Sequence, residues 1–160
     1  MINPKDLKKH IIEPTLEYLN MYSDSAVNLI LGTAAVESDL GYYLRQKGSE
    51  GDTGAFGIYQ MELATCDDIY DNYLKYRPEL KSSIDSILTF AELGEPLIYN
   101  LQYATAMARV HYYRVPAPLP DPDDKVGLAN YWKDHYNSHL GKGTPEKFLE
   151  KYETLVLNHL

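Results

Sequence analysis

One carboxylic acid in this chain stands where a proton-transfer group belongs. Glu37 closes an apolar run in which Val27, Ile30, Leu31 and Ala34 fall at i, i+3, i+4 and i+7, one buried stripe of a helix. Beyond it the chain turns polar, and residues 48–57 carry four glycines, Gly48, Gly51, Gly54 and Gly57. A carboxyl at such a helix end has little solvent and lies near the negative helix terminus, and both effects raise its pKa. A general acid working near neutral pH needs that rise. Position alone also fits a surface glutamate at a helix end. Ser38 beside it reads as a structural hydroxyl, because no triad pattern surrounds it.

The spacing continues into a recognisable pattern. Glu37-Ser38, followed after a loop by Gly54-Ala55-Phe56-Gly57-Ile58-Tyr59-Gln60-Met61, resembles the core signature of soluble lytic transglycosylases and goose-type lysozymes. In that signature a Glu-Ser pair ends a helix and a Gly-x-x-Gly-x-x-Gln segment forms the adjacent β turn. Gly51-Asp52 is similar to the Gly-Asp of goose-type lysozymes, and the likeness is strongest over residues 30–65. It implies a lysozyme-like α+β fold, with cleavage of the β-1,4 bond between N-acetylmuramic acid and N-acetylglucosamine in peptidoglycan. Glu37 would then be the acid that protonates the leaving oxygen. Substrate contacts would come from Ser38, Gly57, Tyr59, Gln60 and, farther on, Tyr131. Gly54 and Gly57 would let the hairpin backbone approach a sugar. Gln60 can bond to Glu37 or to an N-acetyl group, or can simply brace the hairpin. Gly127-Leu128-Ala129-Asn130-Tyr131 falls where transglycosylases carry Ala-Tyr-Asn, here in altered order.

A second carboxylate separates the possible reactions. An inverting hydrolase needs a base holding water, with carboxyls about 6.5–9.5 Å apart. Asp52 and Glu62 are the candidates, although Asp52 also suits a turn and Glu62 a helix start. A lytic transglycosylase needs no second acid, because the muramic acid C6 hydroxyl attacks. The reading favoured is transglycosylation, with goose-type hydrolysis and a non-catalytic module of the same fold as alternatives.

The elements that must position these groups are mostly helical. Asn3-Pro4 opens a helix, and Pro14 should kink it or start a second. The central helix ends near Glu37, with Gly41 as its stop. Ala55–Met61 reads as a strand or hairpin arm. Thr65 and Asp68 resemble a capping box opening the next helix, which stops before Pro78. Helical patterns follow at 79–90, 97–114, 124–138 and 145–159, the last opened by Thr144-Pro145, while four prolines make 115–124 a surface loop. The expectation is a single domain over residues 1–160, mainly α, with six or seven helices and one small β-hairpin.

Composition sets outer bounds. Hydrophobic residues make up 44% and charged residues 24% of 160, which excludes a disordered or collagen-like chain. No apolar run reaches the roughly 20 residues of a membrane span, and the N-terminus lacks the apolar stretch of a signal peptide. The expected setting is therefore synthesis in the cytoplasm and action on the wall, with bacteriophage virion proteins as possible partners. A net charge of −8, with scattered basic residues, argues against nucleic acid. Fifteen tyrosines against three phenylalanines and one tryptophan suit either sugar contacts or a polar-edged core. Trp132 reads more as core than as a sugar platform. No cofactor or metal is expected. Asp121, Asp123 and Asp124 lack the glycine and terminal glutamate of a calcium loop, and His135 and His139, four apart, have no accompanying base. Cys66 reads as a buried or half-buried thiol.

Overall fold

Asn3 starts the first helix as a cap should: its Oδ1 accepts from the backbone N–H of Lys5 at 2.9 Å and of Asp6 at 3.4 Å, with Pro4 at the first position. The computed structural model describes residues 1–88, 94–137 and 141–160. In it this rod runs as α1 (Pro4–Leu7), a π-helical turn at Lys8–Ile12, and α2 (Glu13–Tyr18). Pro14 has no N–H to bond back along the helix, and its ring crowds the carbonyl of His10. The wide turn precedes it, and Pro14 then sits in the first turn of α2, the second start that the sequence allowed.

α3 (Asp24–Ser38) is the axis of the molecule. Ser23 caps it through Oγ, and its residues from Leu29 to Val36 are all buried. A helix apolar all round must be packed on every side. Gly32 provides a notch: an added Cβ would meet the Phe148 ring at 2.1 Å. The helix ends sooner than Gly41. Asp39 and Leu40 are left-handed (φ 51° and 55°), and their N–H groups bond to the carbonyls of Ala35 and Ala34.

The hairpin follows after the glycine-bearing loop. β1 (Ala55–Phe56) pairs antiparallel with β2 (Met61–Glu62), Ala55 opposite Glu62 and Phe56 opposite Met61, while Arg45 bridges the other side of Phe56. α4 (Leu63–Asn72) then begins at once, with Glu62 in the N-cap position. Thr65 is therefore inside the first turn and is no cap. Asp68 serves elsewhere, accepting from Arg114 Nη1 at 2.6 Å and Asn72 Nδ2 at 2.7 Å.

A 3₁₀ turn (Leu74–Tyr76), α5 (Pro78–Ile87), α6 (Pro96–Tyr99) and α7 (Leu101–Tyr113) complete the middle of the chain. The single helix expected over 97–114 is two, because Asn100 is extended and its Oδ1 caps α7 by accepting from the Tyr103 N–H. α8 (Lys125–Trp132) leads into a π turn (Lys133–Asn137), and α9 (Pro145–Lys151) into another (Tyr152–Val156). The proline segment crosses the surface, tied by Asn28 Nδ2 to the Pro122 carbonyl at 3.1 Å.

These elements bury one continuous apolar cluster around α3. Tyrosines serve it as polar-edged core: Tyr112 shares a 2.8 Å hydrogen bond with Thr33, and Tyr59 one with Thr105 at 2.8 Å. The fold is mainly helical with one small antiparallel hairpin. No helix among the described residues is long and apolar enough to cross a membrane.

Candidate active site

Because α3 is buried on all sides, its last turn delivers Glu37 from the core to the floor of a groove of about 720 Å³. The hairpin gives one wall through Gln60, Met61 and Glu62. The end of α8 and its π turn give the other, through Trp132, His135 and Tyr136. Lys47 and Lys147 also face this space.

Glu37 is half-buried, and Trp132 Nε1 donates to its Oε1 at 2.9 Å. Its pKa is raised from 4.5 to about 7: burial raises it, while the Trp132 hydrogen bond and the positive charge of Lys147 pull the other way. Burial alone supplies the rise. At the helix end the N–H groups of Asp39 and Leu40 satisfy the carbonyls of Ala35 and Ala34. A carboxyl titrating near neutrality can both give and take a proton in one catalytic cycle.

The groove does not gather every residue the sequence singled out. Gln60 lines it with φ 46°, and its Nε2 donates to the Gly57 carbonyl at 2.8 Å, so it braces the hairpin from the groove wall. Ser38 is fully buried behind it. Its Oγ donates to the Ile58 carbonyl at 2.6 Å and accepts from the Gly41 N–H, tying the end of α3 to the hairpin. Gly57 faces α6: at φ +77° an added Cβ would lie 1.9 Å from the Leu97 carbonyl oxygen. Its backbone approach is to another helix, where a sugar was expected. Tyr59 is buried, its hydroxyl spent on Thr105 and its carbonyl on the Tyr136 hydroxyl at 2.8 Å. Tyr131 is buried, and its hydroxyl donates to the Ala117 carbonyl at 2.8 Å. Ser38, Gly57, Tyr59 and Tyr131 are not among the residues that line this groove.

The two candidate second acids separate. Asp52 is exposed in the loop and is not among the groove residues. Glu62 is exposed on the groove wall and accepts no capping bond from α4. Asp134, which sequence reasoning passed over, also lines the groove.

Trp132 and Tyr136 are the aromatic residues that matter most here. Trp132 is 1% exposed and packs on Phe148 at 5.6 Å between centroids, as a core residue does, yet its one polar atom reaches Glu37. Their i, i+4 spacing placed both on one helix face, and that was the available signal. His135 stacks edge-on against Tyr131 at 4.5 Å, while His139 lies outside the described residues. Asp124 caps α8 through the Gly127 N–H, and Asp121 accepts from the Asp123 N–H. Cys66 is half-buried, and burial pushes its thiol up. Among the described residues no three His, Cys, Asp or Glu side chains gather as a metal site would require. No protein-family model, no curated protein and no solved structure matches this chain.

Proposed function

We propose that this protein cleaves the β-1,4 bond between N-acetylmuramic acid and N-acetylglucosamine in peptidoglycan, as a lytic transglycosylase with Glu37 as its acid and base. The observation that carries the reading is a carboxyl with a pKa of about 7 on the floor of an open groove. The Glu37-Ser38 and Gly54–Gln60 pattern gives the substrate class through its family resemblance. Protonated Glu37 gives its proton to the glycosidic oxygen as the bond to C1 breaks, and the departing sugar leaves as an alcohol. The resulting carboxylate then takes the proton of the muramic acid C6 hydroxyl as that oxygen bonds to C1. The product is an anhydro sugar, and Glu37 is protonated again. Trp132 holds Oε1, so Oε2 is the oxygen that carries the proton. A net charge of −8 opposes long-range attraction to an anionic wall, so local delivery, as by a bacteriophage particle, suits this reading.

The test is digestion of purified peptidoglycan with product masses measured. Anhydro ends that vanish with Glu37→Gln support the reading. Reducing ends point to a hydrolase, in which Glu62 on the groove wall would hold the water. Full digestion by Glu37→Gln overturns the role of Glu37.

A further inference from the structure

His111 lies on α7, lines the same groove, and has no part in the proton transfers above. Its ring meets Tyr136 edge-on at 5.1 Å between centroids. Its Nδ1 lies 3.1 Å from Arg114 Nη2. A guanidinium can only donate, so Nδ1 must be the acceptor and carries no proton. Arg114 is itself fixed, its Nη1 donating at 2.6 Å to Asp68, which Asn72 holds from the other oxygen. Carboxylate, guanidinium and imidazole thus form a chain that runs from α4 through the end of α7 to the groove.

The consequence is chemical. With Nδ1 occupied as an acceptor, the neutral ring bears its proton on Nε2, and among the described residues nothing accepts from that nitrogen. Burial and the neighbouring Arg114 and His135 hold the ring neutral, lowering its pKa to about 4 against the opposing pull of Asp68. The ring is therefore a fixed, uncharged donor beside an aromatic edge. Such a donor suits a neutral carbonyl, because the pair can be taken out of water without leaving an unbalanced charge, whereas an anion there would have no cation on this ring to offset its desolvation.

We propose that His111 is a binding residue of this groove, held as the Nε2–H tautomer by Arg114 and Asp68, and that it donates to the acetamido carbonyl of an N-acetylated sugar. The ligand class rests on the function proposed above. The tautomer does not. Tyr136 beside it offers an apolar edge for the acetamido methyl.

Two measurements keep these parts distinct. Long-range proton–nitrogen spectra of the ¹⁵N-histidine-labelled protein read the tautomer directly, and a neutral ring with Nε2–H at pH 7 is expected. An imidazolium or an Nδ1–H ring at that pH overturns the proposal. Titration with a tetramer of N-acetylglucosamine, and with its de-N-acetylated counterpart, reads the contact. His111→Phe should weaken the acetylated tetramer about tenfold and leave the other unchanged, as for one lost hydrogen bond. His111→Gln, which restores an N–H, should recover most of the binding and so exclude a merely structural effect. Equal binding by His111→Phe and the parent overturns the contact while leaving Glu37 untouched. Failure of the parent to bind the acetylated tetramer, with the tautomer as expected, overturns the ligand class along with the glycan reading.

Discussion

The indole N–H of Trp132 donates to Oε1 of Glu37 at 2.9 Å, joining the end of α8 to the last turn of α3. One oxygen of the carboxyl is thereby fixed and the other left to exchange its proton. The indole favours the ionised form and burial favours the neutral form, and burial wins. The balance leaves Glu37 titrating near 7, where small changes in its surroundings alter its charge.

That balance has a stability consequence. The folded pKa of about 7 lies above the ordinary 4.5, so the native state holds the proton more tightly than the unfolded chain. The contribution of Glu37 is full below 4.5 and is lost as pH rises through 7. The ionised group then costs about 3 kcal/mol relative to its neutral form. Glu37→Gln should melt about 5–10 °C above the parent at pH 8. The gap should close near pH 4, as thermal melts across that range will read.

Removing the indole donor acts in the opposite sense to burial. Trp132→Phe keeps a ring against Phe148 but withdraws the hydrogen bond that lowers the Glu37 pKa. The high-pH limb of the pH–rate profile should move to higher pH. Above pH 7 the variant should keep a larger share of its maximal rate than the parent, because more of Glu37 retains the proton that opens the cycle. An unchanged profile would remove Trp132 from the site.

Two glycines with nearly the same φ make a controlled pair. Gly57 (φ +77°) would press a Cβ onto the Leu97 carbonyl, whereas Gly48 (φ +79°) has nothing within 4 Å. Gly48→Ala should cost only the left-handed strain, about 1–2 kcal/mol. Gly57→Ala adds a backbone clash and should cost about 3 kcal/mol or more, read by denaturant unfolding.

The exposed acids should be dispensable. Asp52→Asn with Glu62→Gln should keep substantial activity and anhydro-muramyl products, since Asp52 is off the groove and Glu62 is unanchored by the helix it precedes. Tyr131→Phe should lose about 1 kcal/mol through its bond to Ala117 and leave product formation unchanged. Loss of activity in the double variant, with reducing ends from the parent, would establish a hydrolase.

The sequence disclosed what local chemistry decides. Asn3, Thr144 and Pro145 mark helix starts by their own side chains, and the apolar run before Glu37 announces a buried axis. The hairpin too is written in its glycines. What stayed hidden depends on partners far along the chain. Gly57 is small because Leu97 passes over it, and Ser38 is polar because Ile58 offers it a carbonyl. Thr65 and Asp68 have the spacing of a cap, but β2 runs straight into α4 and Arg114 claims the acid. Tyr131 and Trp132 are neighbours in sequence, yet one hydroxyl bonds the Ala117 carbonyl and the other residue's indole reaches Glu37, a divergence that adjacent positions do not reveal.

The notch at Gly32 is filled from far along the chain. Phe148 fills it, and 95 positions separate Glu37 from the indole that holds it. Contacts so distant along a chain form late, since the loop between them must close first. During synthesis α3, the hairpin and α7 can therefore assemble while the second wall of the groove is still missing. The carboxyl acquires its anchored, desolvated state only when α8 and α9 dock. In a nascent chain Glu37 is then an ordinary carboxyl, and recovery of its raised pKa on refolding should trail recovery of helix content.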